Sequence, residues 1–347
     1  MRIEKFFENK QNSDVYIIAE ISQNHDGSLG QAHAFIDAVS KTGVDAIKFQ
    51  THIAEEESTL DEPFRVKFSY EDDTRYDYWK RMEFTKEQWR GLYEHAVEKG
   101  LDFLSSPFSI RAFEILEEIG VPAWKVGSGE VFNEILMKRM VATGKPMLIS
   151  SGMSTYADIE HQVKLIRDNN NECAVFQCTT EYPCPAERIG LNVITEFKER
   201  LEDCVVGISD HSGTIFPSLA AVTMGAKMVE VHVTLSHYMF GPDVASSVTI
   251  EELAEMVKGI RMISMMLSSK VDKTNLNKDL SRLKKIFAKS IYIKNPIKAG
   301  HTVTENDIAL KKPAIGIGTE DFDKVIGKRL LVDKEKDSPL CWEELGD

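Results

Sequence analysis

The chain has no apolar run long enough to span a bilayer and no basic leader followed by an apolar stretch, so neither a membrane anchor nor a secretory signal is expected. Cysteine is sparse. The five residues, Cys173, Cys178, Cys184, Cys204 and Cys341, form no CxxC pair and are odd in number, which suits a reducing compartment better than a disulfide framework. Positive charge is also short: 42 Lys and Arg stand against 55 Asp and Glu, giving a formal charge of -13 that would repel nucleic acid and anionic membranes. A soluble cytoplasmic protein is expected, and any anionic substrate must be held by local lysines and backbone dipoles. Low-complexity tracts and internal repeats are absent as well.

What is present is a large, regularly punctuated core. With 347 residues, 42% of them hydrophobic, the chain exceeds the size at which one core stops growing, so a large and a small domain are expected. Eight β-branched runs recur over residues 15–22, 46–52, 102–108, 123–128, 146–152, 174–180, 205–210 and 228–234. Between them lie segments such as "SIRAFEILEEIG", with apolar residues at helical spacing and a closing Gly. This alternation predicts an α/β fold, a (β/α)8 TIM barrel over residues 1–270, with an open doubly wound sheet as the alternative. A polar, lysine-rich linker follows over 271–284, with room for a solvated helix. Short strands and Gly/Pro turns over 285–347 predict a small, mainly-β domain of marginal independent stability. The long connection 53–85 reads as a cover over the barrel mouth.

In a barrel the functional groups sit at the carboxyl ends of strands. Glu20, Lys48, Gln50, Ser106, Lys125, Ser128, Ser150, Thr180, His211 and His232 all fall at or near such ends. Glu20 suits a general base or a metal ligand, or equally a barrel-mouth ion pair with lysine. For Lys48 and Lys125, buried in apolar contexts, three roles stay open: clamping a phosphate or carboxylate, a Schiff base, or an ion pair with Glu20 or Glu130. The Gly/Ser turns "KVGSGE" and "ISSGMS" can present N–H and hydroxyl groups to an anion. His211 and His232 end neighbouring strands, so they either share one divalent ion or are separately satisfied interior groups. An N/O donor set accepts manganese or magnesium as well as zinc. His25, His52, His95, His161, His237 and His301 read as turn or surface residues.

The ordered motifs "AEISQNHDGS", "DAIKFQT", "FLSSPF", "WKVGSGE", "ISSGMS", "CTTEYPCP", "GISDHSG", "EVHVT" and "FGPD" resemble those of the sialic acid synthases. The C-terminal "IKAGHTVTENDIALKKPAIGIG" resembles the antifreeze-like SAF domain, of β-clip type, that accompanies them. The resemblance implies a phosphoenolpyruvate-dependent, aldol-type synthase that condenses phosphoenolpyruvate with an N-acylated aminosugar to a nonulosonic acid. It implies a divalent metal, usually manganese, with magnesium or cobalt as substitutes, on His211 and His232, beside Glu20 as the catalytic carboxylate. Phosphoenolpyruvate would be held by Lys48, Ser106, Lys125, Ser128, Ser150, Thr180 and Ser209. The sugar would meet Gln50, Glu130, Tyr182, Asp243 and Lys312. It also implies a homodimer in which the small domain reaches across to the partner. Lys312 stands where many members carry arginine, and lysine cannot reproduce a planar, multidentate donor.

Overall fold

The computed structural model describes residues 2–10 and 14–347. Two compact units divide between Ser269 and Lys270. The first is built on β1 (Tyr16–Ser22), β2 (Ala46–Thr51), β3 (Asp102–Pro107), β4 (Trp124–Val126), β5 (Met147–Ser150), β6 (Cys173–Gln177), β7 (Val205–Asp210) and β8 (Met228–Thr234). They pair in parallel in the order β3-β2-β1-β8-β7-β6-β5-β4, and β3 and β4 lie side by side, so the barrel is nearly closed. A short β9 (Val248–Thr249) adds to β8.

Helix α1 (Arg2–Glu8) precedes the first strand, and α2 (Leu29–Val39) follows it. The β2–β3 connection holds α3 (Ala54–Glu57), α4 (Arg75–Met82) and α5 (Lys86–Glu98). Then α6 (Ile110–Ile119), α7 (Glu134–Val141), α8 (Tyr156–Asp168), α9 (Leu191–Arg200), α10 (Phe216–Thr223) and α11 (Ile250–Ser268) complete the outer layer. Their starts follow from the sequence. Thr74, Thr85, Thr155 and Thr249 each cap a helix reciprocally with the acid or amide three residues on, satisfying two otherwise orphaned N–H groups. Helix α6 stops because Gly120 takes the left-handed conformation, φ 92°, that a side chain would resist.

Strand alternation sorts the interior. Ile17, Ala19, Ile47, Phe49, Phe103, Ile149, Val229 and Val231 face outward into the helix layer, where they join the main apolar cluster. The alternate positions Tyr16, Ile18, Ala46, Leu104, Leu148, Ala174, Phe176, Val205 and Met228 form a second cluster inside the barrel. Helix α1 contributes Ile3, Phe6 and Phe7 to that inner cluster. Its N-terminus is tied to Asp102, which accepts from the backbone N–H groups of Arg2 at 3.0 Å and Ile3 at 2.6 Å and from the Tyr16 hydroxyl at 2.8 Å. Gly207 on β7 has no room for a side chain: a Cβ there would lie 2.7 Å from the Met228 carbonyl and 3.0 Å from the Phe176 ring. The apolar floor leaves the C-terminal half of the same inward face to polar residues, where the candidate site lies.

The second unit carries α12 (Lys278–Phe287), the antiparallel pair β10 (Ser290–Ile293) and β11 (Ile308–Lys311), α13 (Phe322–Val325), and the pair β12 (Arg329–Leu330) and β13 (Leu345–Gly346). Its core is small: Ile291, Ile293, Val303, Ile308, Ile317, Val325, Leu330 and Leu340. Helix α12 spans the expected linker end at residue 284, and among its apolar residues Leu280, Leu283, Ile286 and Phe287 are exposed.

Candidate active site

Register brings Glu20 on β1 opposite both Lys48 on β2 and His232 on β8. Lys48 Nζ donates to Glu20 Oε2 at 2.5 Å, and Gln50 Nε2 donates to Glu20 Oε1 at 2.8 Å. A second carboxylate, Glu230, lies two residues before His232 on the same inward face. Its Oε1 is 3.3 Å from Lys125 Nζ and accepts from Ser209 Oγ at 2.9 Å, while its Oε2 is 3.8 Å from Lys48 Nζ. Lys125 also donates to Ser150 Oγ at 2.6 Å. Glu20, Lys48, Glu230, Lys125 and Ser150 thus form one buried chain of alternating charge across the barrel.

The alternation sets the protonation. Burial alone would raise Glu230, but the charges of Lys125 and Lys48 outweigh it and hold the carboxyl well below its usual range. Burial pushes Lys125 down, against the opposing pull of Glu230. Each ammonium has three donors, and neither lysine uses all of them on these neighbours, so both keep capacity for an anion. The ion-pair and anion-clamp readings of the lysines are therefore compatible, with Glu230 rather than Glu130 as the counter-charge of Lys125. Glu130 instead accepts from Asn133 Nδ2 at 2.9 Å, and burial raises its carboxyl.

The two expected imidazoles are brought together, with ring centroids 5.2 Å apart and planes at 80°. His211 Nδ1 donates to the Thr179 carbonyl at 2.8 Å, which leaves Nε2 with its lone pair. Burial, then the charge of His232, lowers His211 to about 3, so the ring is neutral. His232 Nδ1 is buried with no hydrogen-bond partner. Among the described residues no group of three or more His, Cys, Asp or Glu side chains is arranged to hold a metal. Two imidazoles beside Glu20 still fit a divalent ion whose other ligands come from substrate or water. Tyr182 stacks on His211 at 4.1 Å and carries the Arg65 guanidinium 4.2 Å above its ring.

Above this floor opens a cavity of about 640 Å³ lined by Gln50, Ser128, Glu130, Thr180, Tyr182, His232 and Asp243, among others. A bulge in β1 after Glu20 puts Ser22 at φ 51°, where its Oγ donates to Asp243 Oδ2 at 2.5 Å. Ser128 Oγ lies 3.3 Å from Cys178 Sγ and accepts from the Gly152 N–H at 3.2 Å. Ser106 is buried opposite Gln50 in the β2–β3 ladder. Lys312 belongs to the second unit, where its Nζ lies 5.6 Å from the centre of the Phe287 ring.

His25 lies in the turn after β1, as expected, and is buried there, 4.9 Å from Phe84. His52 is neither a turn nor a surface residue: it is buried between Trp79 and Phe108 at 4.0 and 4.3 Å. Glu230, His52 and Arg65 were missed. For Glu230 a signal existed, a charge in "MVEVHVT" two positions from His232, where strand alternation gives both the same face.

The alternating-charge floor thus lies under a cavity at the C-terminal end of a parallel barrel, the end at which barrel enzymes carry their sites. The profile of the NeuB family matches residues 35–272, and that of the SAF domain matches residues 288–346. The chain belongs to the NeuB family. It is 34% identical to human N-acetylneuraminate-9-phosphate synthase, covering 96% of this chain and 92% of that one. It is 31% identical to the N,N'-diacetyllegionaminic acid synthase of Campylobacter jejuni over 90% of this chain and 94% of that one. The crystal structure of the N-acetylneuraminic acid synthetase of Leptospira borgpetersenii superposes with a TM-score of 0.69 at 28% identity, covering 78% of this chain and 90% of that one. Among the described residues no helix is long and apolar enough to cross a membrane.

Proposed function

We propose that this enzyme condenses phosphoenolpyruvate with an N-acylated aminosugar aldose, giving a 2-keto-3-deoxy sugar acid of the nonulosonic type and releasing phosphate. The observation that carries the reading is the convergence of Lys48, Lys125 and Ser150 with Glu20 under the cavity, next to two imidazoles. The two synthases named above, of N-acetylneuraminate 9-phosphate and of N,N'-diacetyllegionaminic acid, support it.

Lys48 and Lys125 neutralise the phosphate and carboxylate of phosphoenolpyruvate, with Ser106, Ser128, Ser150, Thr180 and Ser209 offering hydroxyl donors. The acceptor lies against Gln50, Glu130, Tyr182 and Asp243, with Lys312 as a further contact. His211 and His232 would hold a divalent ion, manganese or in its place magnesium or cobalt, which when bound supplies Lewis-acid polarisation to the aldehyde oxygen. C3 of phosphoenolpyruvate attacks the aldehyde carbon, and positive charge develops at C2. Glu20, aimed by Lys48 and Gln50, stabilises that charge and takes the proton of the water that adds there. The tetrahedral C2 then expels phosphate.

The exposed apolar side of α12 supports a homodimer, in which the small unit would serve the partner's site. Incubation with phosphoenolpyruvate, manganese and a panel of aldoses tests the function. The expected result is phosphate release together with a new keto acid, only when a suitable aminosugar is present. Phosphate release that ignores the aldose would refute the reading.

A further inference from the structure

The site contains a hydrogen-bonded pair, His52 and the half-buried Glu57, that the steps above leave unused. His52 follows β2 and is 4% exposed, with its ring clamped between Trp79 and Phe108, whose planes lie within 15° and 14° of its own. Both ring nitrogens are occupied. Nδ1 lies 2.6 Å from Glu57 Oε1 on α3, and Nε2 lies 3.2 Å from Gln50 Oε1. With both faces and both nitrogens covered, His52 has no hydrogen-bonding atom left for a substrate, although it lines the cavity.

The hydrogen-bond directions follow from Glu20. Its Oε1 is 2.8 Å from the side-chain amide of Gln50, and a carboxylate accepts, so the amide NH2 must point at Glu20. Gln50 Oε1 then faces the other way, where it accepts from Gln23 Nε2 at 3.2 Å and from His52 Nε2–H. One proton lies between Nδ1 and Glu57 Oε1. Whichever of the two holds it, Nε2 carries its own hydrogen and donates. Were Nε2 bare, Gln50 would turn and set its carbonyl oxygen against the Glu20 carboxylate, which is repulsive.

We infer that Glu57 and His52 are positioning residues for the proposed reaction: together they fix the amide of Gln50 so that it donates to Glu20. The relay runs Glu57, His52, Gln50, Glu20, and it starts in the long β2–β3 connection, which also supplies Trp79. That connection therefore does more than cover the cavity; it orients the carboxylate beneath it. The inference rests on the reading of Glu20 as the reacting carboxylate.

The test is steady-state kinetics on the full chain with phosphoenolpyruvate and the accepted aldose. His52→Ala and Glu57→Ala should each lower kcat about tenfold or more while the KM for phosphoenolpyruvate stays near that of the wild type, as for other residues that orient a reacting group. The double variant should be no worse than the poorer single one, because both act through one chain of bonds. His52→Gln retains an N–H donor at the Nε2 position and should recover most of kcat. In that background Glu57→Ala should cost little. Unchanged kcat in the alanine variants, additive losses, or no recovery with glutamine would overturn the inference. An inactive wild type would instead refute the proposed function, so the two failures are distinct.

Discussion

Lys48 and Glu20 stand opposite each other in the β1–β2 ladder and join their side chains in a 2.5 Å ion pair inside the barrel. Both are buried, so each is the other's main charge compensation. Glu20→Gln keeps the shape and a hydrogen-bonding group but removes the proton acceptor. Turnover should fall at least about 100-fold, the usual weight of a general base, while phosphoenolpyruvate still binds by calorimetry. Normal turnover in this variant would remove Glu20 from the mechanism.

Glu230 compensates two ammonium groups at once, through Lys125 at 3.3 Å and Lys48 at 3.8 Å. Glu230→Leu leaves buried charge unpaired. Urea unfolding should show a loss of about 3–5 kcal/mol, the cost of breaking a buried ion pair on one side only. A loss under about 1 kcal/mol would place the chain of charges in contact with water.

The imidazole pair is tested by binding rather than by activity. Titration of the metal-free protein with Mn(II), following the free ion by electron paramagnetic resonance, should show one tight ion per chain. His211→Ala and His232→Ala should each weaken it about tenfold or more. Equal affinity in both variants would place the ion elsewhere.

The cover is pinned by Arg81, whose Nη1 donates to Asp26 Oδ1 at 2.6 Å and whose Nη2 donates to Asp72 Oδ2 at 2.8 Å. Burial raises the Asp72 carboxyl, but hydrogen bonds from Arg81 and Ser69 and the Arg81 charge outweigh it, so the net shift is downward. A depressed carboxyl contributes stability above its unfolded value and loses it as pH falls through the folded one. Asp72→Asn should cost about 1.5 kcal/mol at neutral pH, the weight of a charged hydrogen bond. The gap to wild type should close in thermal melts as pH drops below about 3.8. A gap that widens in acid would contradict the assignment.

The barrel was legible because the eight apolar runs are bounded by Gly and helical periodicity, and each observed strand lies within or one residue outside its expected run. Glu20, Lys48, Lys125, His211 and His232 stood out in the sequence because they fall at or near the ends of apolar strands, and the structure brings them onto one inward face. What the sequence could not supply was register. That Lys125 pairs with Glu230, on a strand about a hundred residues away, depends on the staggering of β4 to β8, which no local pattern encodes. The burial of His52 was hidden for a related reason: it comes from Trp79 and Phe108, which reach it from helix α4 and from just past the end of β3.

In the proposed reaction water attacks C2 and the C2–O bond of phosphoenolpyruvate breaks, which separates it from metal-dependent phosphate hydrolysis in the same barrel. Phosphoenolpyruvate labelled with heavy oxygen at the bridging position tests it directly by mass spectrometry of the products. The expected result is that all of the label leaves with phosphate, and only when the aldose is present. Label kept in the keto acid would mean P–O cleavage, and would contradict the account.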